Sequence, residues 1–250
     1  MKLQDKIAIV TGGGRDIGRA VSLRLAREGA KVVVNFANDE AAATATKADI
    51  EAAGGTAIIH RADVTKPAEV AGLIEASRAA FGDRIDVLVN CAGGMVARKT
   101  LDEMDEAFFD QVMTLNLKSA FLVTKAAKPY LGEGSSIINI ASLAGRDGGG
   151  PGASVYATAK GALMTLTRGW AKEMGPQGIR VNAVCPGLIG TSFHDIFSKP
   201  EGRKAVAGNT PLRREGASEE VASAVAYLAS EDASFLAGVN LDINGGLFFS

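Results

Sequence analysis

Tyr156 and Lys160 are the residues of this 250-residue chain whose types and spacing point most directly to chemistry. At positions i and i+4 of a helix their side chains share one face. An ammonium beside a phenol favours phenolate and draws the tyrosine pKa down from its ordinary value of about 10. A phenol so tuned exchanges a proton with an alcohol or a carbonyl near neutral pH. Ser142, at the end of a predicted strand upstream, adds a hydroxyl. A Tyr-x-x-x-Lys pair taken alone reads equally as an ordinary exposed helix pair, so its meaning depends on the rest of the chain.

A second constellation lies near the N-terminus, where Ile7-Ala8-Ile9-Val10 runs into Thr11-Gly12-Gly13-Gly14-Arg15-Asp16-Ile17-Gly18. A glycine-rich turn between a strand and a helix lets the backbone approach a pyrophosphate, and the helix N-terminus supplies amide donors and a positive dipole. The dinucleotide pattern G-x-G-x-x-G is not met literally, because Ile17 holds the sixth place. A tight structural turn is the other reading.

The elements that would position these groups alternate. Strands are predicted at 7–10, 31–34, 56–60, 85–89, 136–141, 179–184 and 239–242. Helices are predicted from Ile17 to Ala26 and at 38–53, 67–81, 102–131, 154–174 and 218–229. Repeated strand–helix alternation means parallel βαβ units with right-handed crossovers. The expected fold is therefore α/β, a Rossmann-type doubly wound, mostly seven-stranded parallel sheet with helices on both faces, in a single domain spanning 1–250. The segment 187–216 interrupts the rhythm and is long for a connection, so it is expected to be a substrate lid.

Composition narrows the function classes. A chain 47% hydrophobic and 22% charged is neither disordered nor fibrous. Its 27 basic against 28 acidic residues provide no field for nucleic acid or an anionic membrane. Cys91 and Cys185 lie far apart in apolar runs, which suggests reduced, buried thiols. His60 and His194 are the only histidines and no ligand spacing is present, so no metal is expected. The N-terminal apolar run is too short for a signal peptide and no window reaches a membrane span, so a cytoplasmic location is expected.

The combination resembles the short-chain dehydrogenase/reductase family, and within it the bacterial 3-oxoacyl-carrier-protein reductases. The residues that carry the resemblance are the Thr11–Gly18 turn, Asp63-Val64, Asn90-Cys91-Ala92-Gly93, Asn116, Ser142, Tyr156-Ala157-Thr158-Ala159-Lys160, Asn182 and Pro186-Gly187. The resemblance implies that Tyr156 is the general acid in carbonyl reduction and the base in alcohol oxidation. It implies that Lys160 lowers the phenol pKa and binds the nicotinamide ribose, and that Ser142 holds the substrate oxygen. Asn116 would anchor a proton-relaying water, with a local helix kink as its plainer reading. Gly12, Gly14, Arg15, Asp16 and Ile17 would form the pyrophosphate turn. Asp63 and Val64 would flank the adenine, and Asn90, Ala92 and Gly93 would line the cofactor. Pro186, Gly187, Ile189 and Thr191 would contact the nicotinamide.

Cofactor choice follows from the end of the second strand. A Rossmann protein that selects NAD places an acid there for the ribose 2′-hydroxyl. Here Val33-Val34-Asn35-Phe36 has no acid before Asp39, while Arg15 offers a guanidinium suited to a 2′-phosphate. Arg15 with Asn35 thus favours NADP(H) over NAD(H), and a merely solvated Arg15 is the competing reading.

Two departures from the family pattern stand out. Asp16 occupies the place of a glycine. It would either face the pyrophosphate or cap the following helix, with the cap favoured. The glycine-rich stretch 145–152 is either mobile or a backbone lying close to a substrate. The substrate itself is a small molecule of unspecified identity. Met95, Leu143, Leu188 and the 193–214 segment would border its pocket, and His194 and the Arg213-Arg214 pair are as readily solvated as functional. An active carbonyl reductase is the leading reading. The alternative is a weakly active or inactive cofactor-binding sensor or scaffold. Apolar Phe108, Phe109, Val112, Leu115, Leu163, Leu166 and Trp170 exceed what one sheet contact needs, and the family resemblance implies a homotetramer built through those helices, with core packing as the other use for many of them.

Overall fold

β-branched runs that alternate with amphipathic segments fold into a parallel sheet, and the computed structural model describes all of residues 1–250. In chain order the first elements are β1 (Ile7–Val10), α1 (Asp16–Arg27), β2 (Lys31–Phe36), α2 (Glu40–Ala52), β3 (Thr56–Arg61), α3 (Pro67–Phe81) and β4 (Val87–Asn90). Next come α4 (Glu106–Met113), α5 (Ser119–Ala127), β5 (Ser136–Ile140), α6 (Ala144–Asp147), α7 (Ser154–Met174) and β6 (Arg180–Pro186). The chain ends with α8 (Ser192–Phe197), α9 (Pro200–Asn209), α10 (Ser218–Ala229) and β7 (Asn240–Ile243).

One seven-stranded sheet runs in the order β3-β2-β1-β4-β5-β6-β7, and every neighbouring pair is parallel. The strand order reverses between β1 and β4. In an open α/β sheet this is where the carboxyl ends part and a ligand crevice opens.

Successive side chains of a strand point to opposite faces, and the two apolar layers divide accordingly. Ala8, Val10, Val32 and Val34 join Val21 and Leu25 of α1 and Val225 and Leu228 of α10 on one face. Ile9, Val33, Leu88 and Ile137 join Leu73 of α3, Val123 of α5 and Trp170 of α7 on the other. Each fully buried Leu, Ile or Val contributes about 1.5–3 kcal/mol relative to exposure, so the central strands are the most firmly held part of the molecule. No helix is long and apolar enough to cross a membrane.

Three expectations are corrected. The helix expected over 102–131 is not continuous. It consists of a 3₁₀ turn at Leu101–Glu103, α4, a π turn at Thr114–Lys118, α5 and a 3₁₀ turn at Lys128–Tyr130. The cause is Asn116, whose Nδ2 takes the carbonyl of Val112 at 2.9 Å and so competes with the normal helical bond to that oxygen. Phe108, Val112, Leu163 and Trp170 are buried inside the chain, while Phe109 is 45% exposed. Most of the apolar surplus expected at a subunit contact is therefore core. The expected strand 85–89 begins later, at Val87, because Asp86 turns inward and accepts the Ile7 amide at 2.9 Å.

The 187–216 segment is structured, and it carries α8 and α9. Its base is closed by a parallel bridge between Ile189 and Gly216.

Candidate active site

The glycine turn after β1 is held by side chains that sequence reasoning passed over. Thr11 Oγ1 accepts the amides of Cys91 at 2.9 Å and Ala92 at 3.0 Å, which joins the ends of β1 and β4. Ser22 Oγ donates to the Gly13 carbonyl at 3.0 Å, and Thr46 Oγ1 donates to that of Gly14 at 2.9 Å. A side chain at Gly18 is impossible: its Cβ would lie 2.0 Å from the Gly12 carbonyl oxygen. The hydroxyls that brace this turn come from two helices, so no spacing rule along the sequence reveals them.

Asn35, expected beside the cofactor, is engaged by the backbone around it. It is buried at the end of β2, where its Oδ1 accepts the Gly12 amide at 3.2 Å. Its Nδ2 faces the carbonyls of Phe36, His60 and Ala62 at 3.0–3.3 Å. With its hydrogen bonds committed to the backbone, Asn35 shapes the turn.

Asp16 is not a helix cap. It adopts φ +50°, and the N-terminus of α1 has no side-chain cap. Its carboxylate instead reaches the 187–216 segment, accepting the Ser192 amide at 2.9 Å and the Ser192 hydroxyl at 2.5 Å. A left-handed non-glycine residue costs on the order of 1–3 kcal/mol and is retained only when its surroundings hold it there.

The four residues singled out for chemistry gather at the carboxyl ends of β4 and β5. Tyr156 and Lys160 lie on the first turns of α7, with the Lys160 Nζ 5.8 Å from the centre of the Tyr156 ring. Lys160 is buried and donates to the Ile140 carbonyl at 2.7 Å. Ser142 follows β5, and its Oγ accepts the Ala144 amide at 3.1 Å. Asn116 packs behind Lys160. A Cβ placed on Gly93 would lie 2.8 Å from Asn116 Oδ1 and 3.1 Å from Lys160 Nζ, so the three meet at one point. Both hydrogens of the Asn116 amide are spent, on the carbonyls of Gly94 at 2.8 Å and Val112 at 2.9 Å. Its Oδ1 accepts the Gly94 amide at 2.9 Å.

Electrostatics at this site differ from the sequence expectation. Burial pushes the Tyr156 phenol above its ordinary value, and the neighbouring Ser142 hydroxyl opposes that rise. Lys160 is not the dominant influence on the phenol. Burial lowers the lysine itself to about 8, which leaves it cationic at neutral pH and easily discharged above it. Burial likewise pushes the Cys91 and Cys185 thiols up to about 11, so neither is a ready nucleophile.

The remaining expected residues form the walls. Asp63 Oδ1 accepts the Thr65 amide at 2.9 Å and the Thr65 hydroxyl at 2.7 Å, shaping the turn before α3, and Val64 is buried beside it. Asn90 is buried, and its Nδ2 donates to Thr124 Oγ1 at 3.0 Å and Asn139 Oδ1 at 2.8 Å. Asn90 therefore braces β4 from behind, while Ala92 and Gly93 face Gly12 and Asn116. The Pro186 carbonyl accepts the Leu143 amide at 2.9 Å, and the Gly187 amide donates to Ile243 at 3.0 Å. Ile189 and Thr191 are buried at the start of the 187–216 segment. From α8 of that segment, the Phe193 ring lies 5.8 Å from the Tyr156 ring and 5.1 Å from that of Phe197. The glycine-rich stretch is anchored to the segment after β4, because Arg98 Nη1 donates to Pro151 at 2.9 Å and the Lys99 amide to Gly152 at 3.1 Å.

The sequence pattern of the family described as enoyl-(acyl carrier protein) reductase, a short-chain dehydrogenase branch, matches residues 12–248. The chain belongs to the short-chain dehydrogenase/reductase family. An uncharacterised oxidoreductase of Methylorubrum extorquens is 40% identical over 98% of this chain and 99% of its own length. A (3R)-3-hydroxyacyl-CoA dehydrogenase of Canis lupus familiaris is 39% identical over 99% of this chain and 98% of its own. A short-chain dehydrogenase of Burkholderia cenocepacia, solved in complex with NADP, superposes with a TM-score of 0.92 at 33% identity, covering 98% and 99% of the two chains.

As a short-chain dehydrogenase/reductase the protein is an NAD(P)-dependent oxidoreductase. Its own residues fit a dinucleotide. The Thr11–Gly18 turn opens directly onto the N-terminus of α1, and the wall opposite is the backbone of Ala92, whose Cα would lie 3.2 Å from a Cβ on Gly12. The glycines let the turn pack directly against β4 and α1, and the amides at the N-terminus of α1 are the kind of group that a pyrophosphate takes.

Proposed function

We propose that this short-chain dehydrogenase/reductase interconverts a carbonyl and a secondary alcohol with NADP(H), using Tyr156 as the proton donor and acceptor. The convergence of Tyr156, Ser142 and buried Lys160 beside the glycine turn carries this reading. The cofactor, when bound, supplies or accepts the hydride at the substrate carbon. In reduction the Tyr156 hydroxyl donates its proton to the carbonyl oxygen, and in oxidation the phenolate takes the alcohol proton. Ser142 orients that oxygen and stabilises the charge that develops on it. Lys160 places a cation beside the phenolate, which favours the deprotonated form at the moment it is made. Asn116 holds the Gly93–Gly94 backbone against Lys160, and so fixes the wall on which the ammonium rests.

The preference for the phosphorylated cofactor is supported by two features at the end of β2 and one in the glycine turn after β1. Asp39, the first acid beyond it, is committed to capping α2 through the Ala42 amide at 3.0 Å. Arg15 is exposed at the turn. Arg61, paired in register with Phe36, lies over the same strand end and donates to the Ala37 carbonyl at 3.2 Å. An aromatic roof of Phe193 and Phe197 suits an apolar substrate. The 3-oxoacyl or 3-hydroxyacyl esters head the list because both the motif resemblance and the canine relative point to them.

The exposed aromatic rings of Phe109 on α4 and Phe121 on α5 support self-association, and we place the enzyme in the cytoplasm as a homotetramer, a state that light scattering tests directly. For the reaction, catalytic efficiencies with NADPH and NADH are compared across a carbonyl panel, for the parent and for Arg15→Ala. We expect NADPH to be favoured at least tenfold and the variant to lose most of that margin. A preference for NADH removes the NADP(H) assignment, and no turnover with any carbonyl removes the reductase reading.

A further inference from the structure

Asp16 occupies a backbone conformation, φ +50°, that a glycine would adopt without strain. Its side chain is nevertheless in use. Both carboxylate oxygens are engaged by Ser192, one by the amide at 2.9 Å and the other by the hydroxyl at 2.5 Å. Arg15 Nε lies 3.9 Å from the same carboxylate. Ser192 is the first residue of α8, and Phe193, the next residue, sets its ring 5.8 Å from that of Tyr156. The connection therefore runs from the glycine turn, across the mouth of the cleft, to the roof over the phenol.

Side-chain bonds tie α8 to the body of the protein at its two ends. Asp16 holds the first residue, and Arg98 Nε donates to the carbonyl of the last, Phe197, at 2.8 Å. Arg203 of α9 pairs with Asp195 and Glu215, both of which belong to the same 187–216 segment. Those pairs stiffen the lid internally and do not moor it to the sheet.

We propose that Asp16 is a positioning residue, a latch that holds α8 over Tyr156 from the glycine turn. The latch itself is a statement about the protein alone, while its catalytic consequence rests on the reductase reading above. A charge-assisted bond to a backbone amide at the first residue of a short helix orders that helix locally. Its loss lets the N-terminal end of α8 lift while the sheet stays intact.

The test uses the full-length protein with Asp16→Gly, Asp16→Asn, Ser192→Ala and the Asp16→Gly/Ser192→Ala double variant. Glycine suits the backbone conformation at position 16, so the fold is retained. Tryptic cleavage at Arg203 and Lys204, followed without cofactor, reads the opening of the segment. We expect cleavage about tenfold faster in Asp16→Gly, which loses both bonds, a smaller increase of about threefold in Ser192→Ala, which keeps the bond from its backbone amide, and a rate in the double variant no faster than in Asp16→Gly alone. With cofactor and a carbonyl, Asp16→Gly is expected to raise substrate KM about tenfold with kcat within about threefold, and Asp16→Asn, which keeps one acceptor oxygen, to recover part of that loss. Cleavage of Asp16→Gly at the parent rate overturns the latch. So does strict additivity in the double variant, or tighter NADPH binding by Asp16→Gly with cleavage unchanged, which would mean that the carboxylate only repels phosphate. A parent protein that turns over no carbonyl defeats the reductase reading while the cleavage result still decides the latch.

Discussion

Behind Tyr156 and Lys160, α7 is seated on apolar side chains and buried polar bonds. Trp170, Ala171 and Met174 pack into the sheet layer, and Asn139 Nδ2 donates to Thr167 Oγ1 at 2.9 Å in the interior. Across the cleft, α8 and α9 contain no buried residue. They are held by Asp16, by Arg98 and by the Arg203 ion pairs, whose side chains remain partly in solvent. One wall is fixed by close packing, which resists small displacements. The other depends on a few polar contacts, which water and salt weaken. Under the proposed function the first wall would carry the chemistry and the second the substrate fit, and the largest effects of substitution should divide in the same way.

Tyr156→Phe should produce the largest effect. We expect kcat to fall by about 10³-fold while NADPH affinity, measured by fluorescence titration, stays within about threefold. A loss of less than tenfold would move the proton transfer to another group. Lys160→Met comes next, with kcat lower by roughly 10²-fold at neutral pH.

The same residue yields a pH signature. Lys160 titrates near 8 in the folded chain against an ordinary value of 10.5. Between those values the unfolded chain holds a proton that the native state has released, so the stability of the parent relative to Lys160→Met should rise with pH. Denaturant titrations from pH 7.5 to 10 should show up to about 3 kcal/mol of that relative gain, and none below pH 7. Parent kcat for reduction should fall as pH passes about 8, where the ammonium is lost.

On the lid wall, Phe193→Ala should raise KM for bulky apolar carbonyls by roughly tenfold with kcat little changed, because it removes a roof and not a reacting group. A matching fall in kcat would mean that the ring also orients Tyr156, and would blur the distinction between the walls. Arg203→Ala should have the smallest effect. Its pairs with Asp195 and Glu215 are partly exposed, so stability should change by about 1 kcal/mol or less in denaturant titration.

How far each wall was legible in the sequence follows from the same contrast. Helix α7 falls at the expected 154–174, and α10 at 218–229, because each carries an apolar stripe of helical period that has to meet the sheet. The strands are equally legible, since short β-branched runs bounded by glycine and polar turns have few alternatives. The break in the 102–131 helix was legible only as the local kink that Asn116 suggests. Its form follows from the Asn116 Nδ2 bond to the Val112 carbonyl, while the second carbonyl that the same amide holds, that of Gly94, lies 22 residues away, and propensity carries no information about that partner. The surroundings of Asn35 were hidden for a similar reason. Its position at the end of β2 was legible, but the claims of Gly12, His60 and Ala62 on its side chain exist only when three strands are assembled.

Asp16 shows the limit most clearly. Local pattern offered two uses for a carboxylate at the start of a helix, a cap or a repulsion, because both partners lie within a few residues. The actual partner, Ser192, is 176 residues further along the chain. Periodicity and residue type alone determined the α/β alternation, the glycine turn and the Tyr156–Lys160 face, since each of these is set by neighbours within one or two turns. The order of the strands around the crevice, the direction of the pKa shifts and the partners of Asn35, Asn116 and Asp16 were decided only by the tertiary structure. Burial and long-range hydrogen bonds are properties of the packed chain, and no local stretch of sequence contains them.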